Sequence, residues 1–271
     1  MATLELCRHP DALAFLERAE SWLLEEEIER AVPLKAARQA QAHPSSFEEP
    51  TYWATFEESG RIVGCSIRTP PHHVFVTRLP AAAVPLLLES LKETYTVMSG
   101  ISGAEPTASA LAAVSFANRW RVGSRQWLWS IAAVDPPAGP GGALRLATAD
   151  DMTTVWQWGT RDSEMPFADP LFAAALMRAQ GLYVWDDGTL RCIAGVLRQT
   201  RSSAALGVIY TPPDWRNKGY ATATVAAWSR QVLEGGKRCF FYTNAAFAAT
   251  TAICRKLGHE LVHESVDIEF R

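Results

Sequence analysis

The spacing of apolar and polar residues predicts alternating helices and strands along the first half of the chain. Residues 10–41 have apolar positions at helical spacing with acidic and basic residues between them, which predicts two helices. The segment 51–79 predicts three strands separated by a Ser-Gly turn and a Pro-Pro turn. The remaining predicted elements of this half are a helix near 81–93, a strand near 94–98, a Gly-Ser loop over 99–106, a helix over 106–119 and a strand over 126–134.

A second half with the same kinds of element follows a stretch rich in proline and glycine, residues 134–145. Within it, Asp187-Gly188 lies between two apolar runs, and this pair is a strong signal for a β-hairpin. The predicted elements are a strand from 144, helices over 151–161 and from Asp169-Pro170 to about 180, the hairpin, a strand over 204–211, a helix over 219–235, a strand over 239–243, a helix over 247–258 and a final strand pair over 260–270.

The order of elements is similar in the two halves: helices, antiparallel strands, then strand and helix in alternation. It predicts a mixed α/β layered arrangement, and one interpretation is the same fold twice. We therefore place a first domain at 1–135, a linker at 136–143 and a second domain at 144–271.

Composition narrows the class of protein. The chain has 48% hydrophobic and 20% charged residues, with a net charge of −3, so it reads as a soluble globular protein and not as a nucleic-acid or anionic-membrane binder. The N-terminal residues do not read as a signal peptide. Five scattered cysteines favour free thiols in a reducing compartment, so we expect a cytoplasmic protein.

Histidines do not predict a metal site. His72 and His73 are adjacent, so on a strand their side chains point to opposite faces. His259 and His263 share a face of a predicted strand but lie about 13 Å apart, too far to hold one ion. We therefore expect no metal.

The start of the predicted helix at residue 219 has the features of an anion site. Pro212 and Pro213 end the preceding strand because they cannot donate hydrogen bonds, and the first amides of a helix have no partner within it. Gly219 leaves these amides accessible, and Arg216 and Lys218 add positive charge beside them. The sequence thus favours a site for phosphate or pyrophosphate, although a solvated basic turn would have the same composition.

The segment "VIYTPPDWRNKGYAT", residues 208–222, resembles the acyl-CoA-binding motif of the GNAT N-acetyltransferase superfamily, in which Arg/Gln-x-x-Gly-x-Gly/Ala follows a strand and a proline. Arg216, Gly219 and Ala221 occupy the motif positions. The following "CFFYTNAAFAATTAICRKLGHELV" resembles the family's second motif, and the resemblance covers about 144–271. It implies a tandem of GNAT-like domains, each with a mixed, mostly antiparallel sheet flanked by helices. The first domain is then degenerate, because its Gly-rich "GISGAE" lacks a nearby Arg or Lys.

The resemblance also implies how acetyl-CoA or another acyl-CoA binds. The backbone of Ile209, Tyr210 and Thr211 pairs with the pantetheine arm, and the loop amides hold the pyrophosphate. The implied contact residues further include Arg216, Asn217, Lys218, Gly219, Tyr220, Ala221, Thr222 and Phe247. Phe247 is a departure from the family, which usually has Asn at this position.

The groups that move protons are less clearly indicated. Cys254 occupies the position of the tyrosine that many GNAT enzymes place near the thiol sulfur, and either a proton donor or a small buried residue would suit it. For a general base the preferred candidate is Glu164, in a loop that borders the acceptor pocket in this fold. Glu264 and Asp267 are the alternatives, and ordered water could also serve.

The sequence predicts an acyl-CoA-dependent N-acetyltransferase that acts on a small amine or amino acid, with a homodimer possible. Two other functions stay open. The chain could bind CoA or a metabolite without turnover, as Phe247 and Cys254 suggest, or the loop could be a nucleotide phosphate site.

Overall fold

The structure is a computed structural model, and it describes residues 3–47, 50–115, 119–135, 138–161 and 169–271. The described strands are β1 (Leu4–His9), β2 (Tyr52–Glu58), β3 (Arg61–Arg68), β4 (Val74–Val76), β5 (Gly100–Ala104), β6 (Trp120–Ile131), β7 (Ala143–Leu146), β8 (Leu182–Asp186), β9 (Leu190–Gln199), β10 (Ser203–Tyr210), β11 (Arg238–Asn244) and β12 (Glu260–Phe270). The described α-helices are α1 (Ala12–Glu25), α2 (Ala31–Ala42), α3 (Ala83–Thr94), α4 (Thr107–Ser115), α5 (Asp151–Arg161), α6 (Pro170–Arg178), α7 (Tyr220–Glu234) and α8 (Ala248–Lys256).

The chain divides into two compact units. Unit 1 consists of Met1–Gln126 together with His263–Arg271, and unit 2 consists of Trp127–Val262. The first seven residues of β6 and the last residues of β12 thus belong to unit 1. This division differs from the predicted one, which placed the final strand wholly in the second domain and the boundary at 135–144.

Unit 1 is a sheet covered by helices on both faces. Its strand order is β1-β2-β3-β4-β5-β12-β6, and β4 and β5 are parallel while the other described registers are antiparallel. Neighbouring residues of β2 face opposite sides, so Tyr52 packs in the core under α3 and α4, whereas Trp53 packs in the core under α1 and α2. Both side chains are fully buried.

Unit 2 repeats this layering. Its strand order is β6-β11-β10-β9-β8-β7, in which β10 and β11 are parallel. Ile193 of β9 packs beneath α5 and α6, and its neighbour Ala194 packs on the other face with α7 and α8. The predicted apolar face of α7 is confirmed at Val225 and Trp228, which are buried against the sheet. The predicted fold class, mixed α/β with mostly antiparallel sheets flanked by helices, is therefore confirmed.

Three local predictions are wrong. No strand forms at 94–98, and β5 lies instead inside the predicted Gly-Ser loop. The predicted strand pair over 260–270 is the single strand β12, and β1 was not anticipated. At β5 the glycines are needed for close strand packing: a Cβ on Gly103 (φ +131°) would lie 1.9 Å from the Val76 carbonyl oxygen, and one on Gly100 would lie 2.2 Å from that of Ile268.

Candidate functional site

The neighbouring strands β10 and β11 pair over only part of their length. Their parallel register runs from Ser203 opposite Arg238 to Leu206 opposite Phe241, and it ends there. Beyond Leu206 the strand β10 continues to Tyr210 and keeps its pairing with β9 on the other edge. The strand edge from residue 207 to 210 is therefore open to a ligand on the β11 side, since a strand exposes a backbone donor and acceptor on each edge.

A β-bulge marks the position where this edge opens. The register of β10 with β9 shifts on both sides of Leu206, so that Leu206 faces Val196 and Val208 faces Gly195. A Cβ on the intervening Gly207 would lie 2.1 Å from the side chain of Leu197. Glycine therefore leaves room for the Leu197 side chain, and the bulge coincides with the point where the pairing of β10 with β11 ends.

The loop after β10 leads directly into the N-terminus of α7. A short 3₁₀ turn over Pro213–Trp215 follows the strand, and the backbone then passes through positive φ at Asn217 (61°) and Gly219 (88°). Gly219 is the N-cap of α7 and provides no side-chain cap, and the backbone amide of Ala223 donates to its carbonyl at 2.9 Å. The first amides of the helix thus point outward without a capping side chain, as an anion site requires.

Aromatic rings hold the basic side chains of this loop. The Lys218 ammonium lies 4.4 Å from the centre of the Trp215 ring, and the Arg191 guanidinium lies 3.6 Å from it. Arg216 lies 5.8 Å from the Tyr210 ring centre, and its Nε donates to the Thr211 carbonyl at 3.1 Å. These cation–π contacts keep the cations beside the loop, because Trp and Tyr rings attract positive charge.

The tip of the β8–β9 hairpin is tied to the start of α7. The Tyr220 hydroxyl donates to Asp187 Oδ2 at 2.8 Å, and Arg191 Nε donates to Asp187 Oδ1 at 2.8 Å. The hydrogen bond from Arg191 lowers the pKa of Asp187, and the hydrogen bond to Asp187 raises that of Tyr220. Sequence reasoning predicted the hairpin but missed Asp187, Arg191 and Trp215 as its contacts with the loop.

Two of the predicted contact residues of the second motif have clear positions. Phe247 lies at the N-cap of α8, where it is 62% exposed and makes no side-chain capping bond. The capping contact in this turn comes from Asn244, whose Oδ1 accepts from the amide of Ala246 at 2.9 Å. An exposed ring is thus available beside the turn where the family usually has an amide side chain.

Cys254 lies inside the core of unit 2. Its side chain has no exposed surface and packs in the same apolar cluster as Val225 and Leu257. Burial raises the pKa of the thiol to about 12. This placement is that of a small core residue, and a catalytic role for Cys254 stays a prediction that its burial disfavours.

The candidate bases are scattered. Glu164 lies outside the described residues. Glu264 and Asp267 belong to unit 1, where the carboxylate of Asp267 accepts from or pairs with His73 Nδ1 at 2.9 Å. Both alternative carboxylates thus belong to unit 1, and the general base stays a prediction.

A cleft of about 420 Å³ lies next to the loop in unit 2. Trp158 and Trp215 contribute aromatic surface, and Asp150 and Asp186 contribute carboxylates. Arg145 binds both oxygens of Asp151 at 2.7 and 2.8 Å and also binds Asp186 at 2.8 Å. The lining thus contains three carboxylates, those of Asp150, Asp151 and Asp186, and two guanidinium groups, those of Arg145 and Arg191, which leaves one negative charge in excess.

Two features are absent from the described residues. Within those ranges, no group of three or more His, Cys, Asp or Glu side chains is arranged to hold a metal ion. None of the helices that the structure describes combines the length and the apolar character needed to cross a bilayer.

Comparison with known proteins places this geometry in a family context. Residues 181–268 match the family model described as FR47-like protein, and no curated protein sequence is matched. This segment contains the hairpin, β10, the loop, α7, β11 and α8.

Solved structures match over nearly the whole chain at low sequence identity. An acetyltransferase of the GNAT family from Colwellia psychrerythraea has a TM-score of 0.60 at 12% identity, covering 98% of this chain and 100% of its own. A GCN5-related N-acetyltransferase from Sphaerobacter thermophilus has a TM-score of 0.58 at 12% identity, covering 98% and 95%. A tandem GNAT protein from the clavulanic acid biosynthesis pathway has a TM-score of 0.50 at 16% identity, covering 98% of both chains. Residues 181–268 therefore resemble the FR47-like family, and the chain as a whole has the fold seen in solved GNAT acetyltransferases, a tandem GNAT protein included.

Proposed function

We propose that unit 2 is an acyl-CoA-dependent N-acetyltransferase that transfers an acetyl group to a small amine. One observation carries the proposal: β10 and β11 part after Leu206 and Phe241, and the open strand edge leads to an uncapped helix N-terminus flanked by cations. A ligand that fits both features combines an amide-containing arm with a diphosphate. CoA has this combination.

The residues present fit CoA. The uncapped amides at the start of α7, over 219–222, suit the pyrophosphate, with Arg216 and Lys218 supplying positive charge. The backbone of Ile209, Tyr210 and Thr211 suits the amides of the pantetheine arm, because this edge of β10 has no strand paired with it in the described register. Asn217 gives the loop its turn through positive φ, and Phe247 offers an exposed apolar contact.

Bound acetyl-CoA would supply an acetyl group activated as a thioester. The chain contributes a backbone N–H that polarises the thioester oxygen. Successive amides of a strand point to opposite edges, so one of the two amides of Ile209 and Tyr210 faces the open edge of β10. A fixed backbone donor of this kind stabilises the negative charge that develops on the oxygen and needs no catalytic side chain.

The acceptor we propose is a small amine, as the resemblance implies. The cleft beside the loop has the volume typical of small-molecule sites, and its tryptophan rings suit an ammonium group. Its lining at the hairpin tip and Trp215 places it at the diphosphate end of β10, so it does not define where the acceptor meets the thioester.

A thiol-release assay with acetyl-CoA and a panel of primary amines and amino acids tests the proposal. Steady release of CoA with at least one amine, above the rate with acetyl-CoA alone, is the expected result. A second candidate function is binding of CoA without turnover. It is favoured by the burial of Cys254 and by Phe247, an N-cap residue that makes no side-chain capping bond. Tight CoA binding by calorimetry with no release across the panel would support that function, and stronger stabilisation by ATP than by CoA would contradict both.

A further inference from the structure

His259 follows α8, and the backbone conformation there packs the His259 side chain against the helix. The backbone amide of His259 donates to the Cys254 carbonyl at 2.9 Å, and that of Gly258, at φ +82°, donates to the Arg255 carbonyl at 3.2 Å. This is the Schellman pattern, in which the residue after the left-handed glycine packs on the residue five positions earlier. The imidazole therefore lies next to the side chain of Cys254.

The imidazole is buried but has no hydrogen-bonding partner. His259 is 6% exposed, and neither ring nitrogen is hydrogen bonded to any residue that the structure describes. Burial lowers its pKa to about 4; the Cys254 carbonyl opposes this shift without completing a hydrogen bond of normal geometry. The ring is therefore neutral at pH 7, with one N–H donor and one acceptor nitrogen unused.

A second unused polar group lies on the same face of α8. Thr251, one turn before Cys254, is buried, and its Oγ1 also has no partner among the described residues. Leaving a buried polar group unpaired is unfavourable, so such groups call for an explanation. Two such groups on one buried face can both be satisfied by a single bound polar molecule.

The position of the His259 ring indicates which molecule would bind there. The ring centre of His259 lies 6.4 Å from that of Phe241, and Phe241 faces Leu206 in the last pair of the β10–β11 register. His259 thus lies beside the point where the two strands part. A ligand that runs from the loop along the open edge of β10, past the amides of Tyr210 and Ile209, extends toward this point.

We propose that His259 carries the proton in acyl transfer; this inference rests on the proposed function. The acceptor first releases its ammonium proton to solvent. The neutral amine nitrogen then forms a bond to the thioester carbon, and the carbon–sulfur bond breaks. The unprotonated ring nitrogen takes the proton that the amine nitrogen loses and returns it to the departing sulfur. The products are an amide and a free thiol, and His259 is again neutral.

This assignment gives unit 2 a proton carrier that sequence position alone did not suggest. The family position of the acid holds Cys254, whose thiol is buried and has a pKa of about 12. An imidazole can both accept and donate, so one residue serves the amine and the sulfur in turn once bound acyl-CoA stabilises the protonated ring, whose pKa is about 4 without it. Thr251 then serves to position the bound arm through its free hydroxyl.

Nuclear magnetic resonance of the ring nitrogens tests the inference without turnover. In the wild-type protein labelled with ¹⁵N-histidine, the His259 signals are identified by His259→Gln or, if that variant does not fold, by replacing each of the other five histidines in turn. Saturating acetyl-CoA should shift the His259 nitrogen signals, whereas the exposed His72 should be unaffected. Binding of acetyl-CoA with unchanged His259 signals would overturn the inference and leave the proposed function intact.

Kinetics with the most active amine of the panel give the second test. His259→Gln should lower kcat roughly 100-fold or more while the Kd for acetyl-CoA changes by less than twofold. The matched control, His72→Gln, should keep the wild-type kcat. A kcat within twofold of wild type in folded His259→Gln would overturn the inference, and failure of the wild-type protein to bind acetyl-CoA would remove the proposed function itself.

Discussion

The double substitution Arg216→Ala with Lys218→Ala is the most direct test of the anion site. Both side chains are exposed at the loop before α7, and they contact the rings of Tyr210 and Trp215 and the carbonyl of Thr211 among other groups. Removing them should leave the fold intact, because neither side chain fills the core. What is lost is the positive charge beside the uncapped helix amides.

The expected loss follows from the number of charged contacts. A hydrogen bond to a charged group contributes about 1.5–3 kcal/mol, and exposure of these cations to solvent reduces that contribution. The helix amides remain in the variant and keep part of the site. We therefore expect CoA binding to weaken by about 2–4 kcal/mol, which corresponds to roughly 30- to 1000-fold in Kd.

Isothermal titration calorimetry measures this loss. The wild-type protein, the loop variant and a control variant are each titrated with CoA and with acetyl-pantetheine. The matched control is Arg230→Ala with Lys256→Ala, which removes the same charge from exposed positions of unit 2 away from the loop. Weaker binding of CoA in the first variant alone is expected, with equal affinities of all three proteins for acetyl-pantetheine, which lacks the diphosphate. Unchanged affinity of the loop variant for CoA would refute the reasoning, and an equal loss for acetyl-pantetheine would show a general defect.

Three further predictions follow from the structure. Arg145 holds the pKa of the buried Asp151 down to about 2. The Asp151 carboxylate therefore stabilises the fold above pH ~4, and this contribution is lost between about pH 4 and 2. Asp151→Asn should lower the free energy of unfolding, measured in urea at pH 7, by roughly 2 kcal/mol and make that free energy less dependent on acid pH. Cys254→Ala should cost roughly 1 kcal/mol in the same assay and leave turnover unchanged, whereas slower turnover at constant CoA affinity would make the thiol a catalytic acid. A chain that ends at residue 262 should fail to form a stable unit 1, since β5 then lacks its partner Ser265–Glu269; cooperative unfolding of wild-type amplitude by circular dichroism would contradict this.

The elements that were predicted correctly are those whose signals are local. The Asp187-Gly188 hairpin follows from its turn residues, and α7 follows from an apolar face with a glycine at each end. The loop at 211–219 was also placed correctly, because prolines and a left-handed glycine dictate the backbone by themselves. Its basic residues lie beside the helix N-terminus as the pattern indicated.

The features that were missed depend on distant parts of the chain. β5 has the composition of a loop and becomes a strand because β4 and β12 pair with it on both edges. Trp215 contacts the guanidinium of Arg191, and Arg191 lies on β9, far from Trp215 in the sequence. His259 carried no signal in the sequence beyond its type, since only the fold shows that its ring nitrogens lack partners. Propensity and spacing do not contain such information.

The assignment of residues 263–271 to unit 1 has a consequence for biosynthesis. During translation, the strand that completes the first sheet leaves the ribosome only after the roughly 140 residues of unit 2 have been made. At 5–20 residues per second, the edge of β5 that later pairs with β12 stays unpaired for about 7 to 30 s. A nascent chain therefore presents an unpaired, apolar strand edge for many seconds, so its yield in the cell should depend on chaperones that bind such edges.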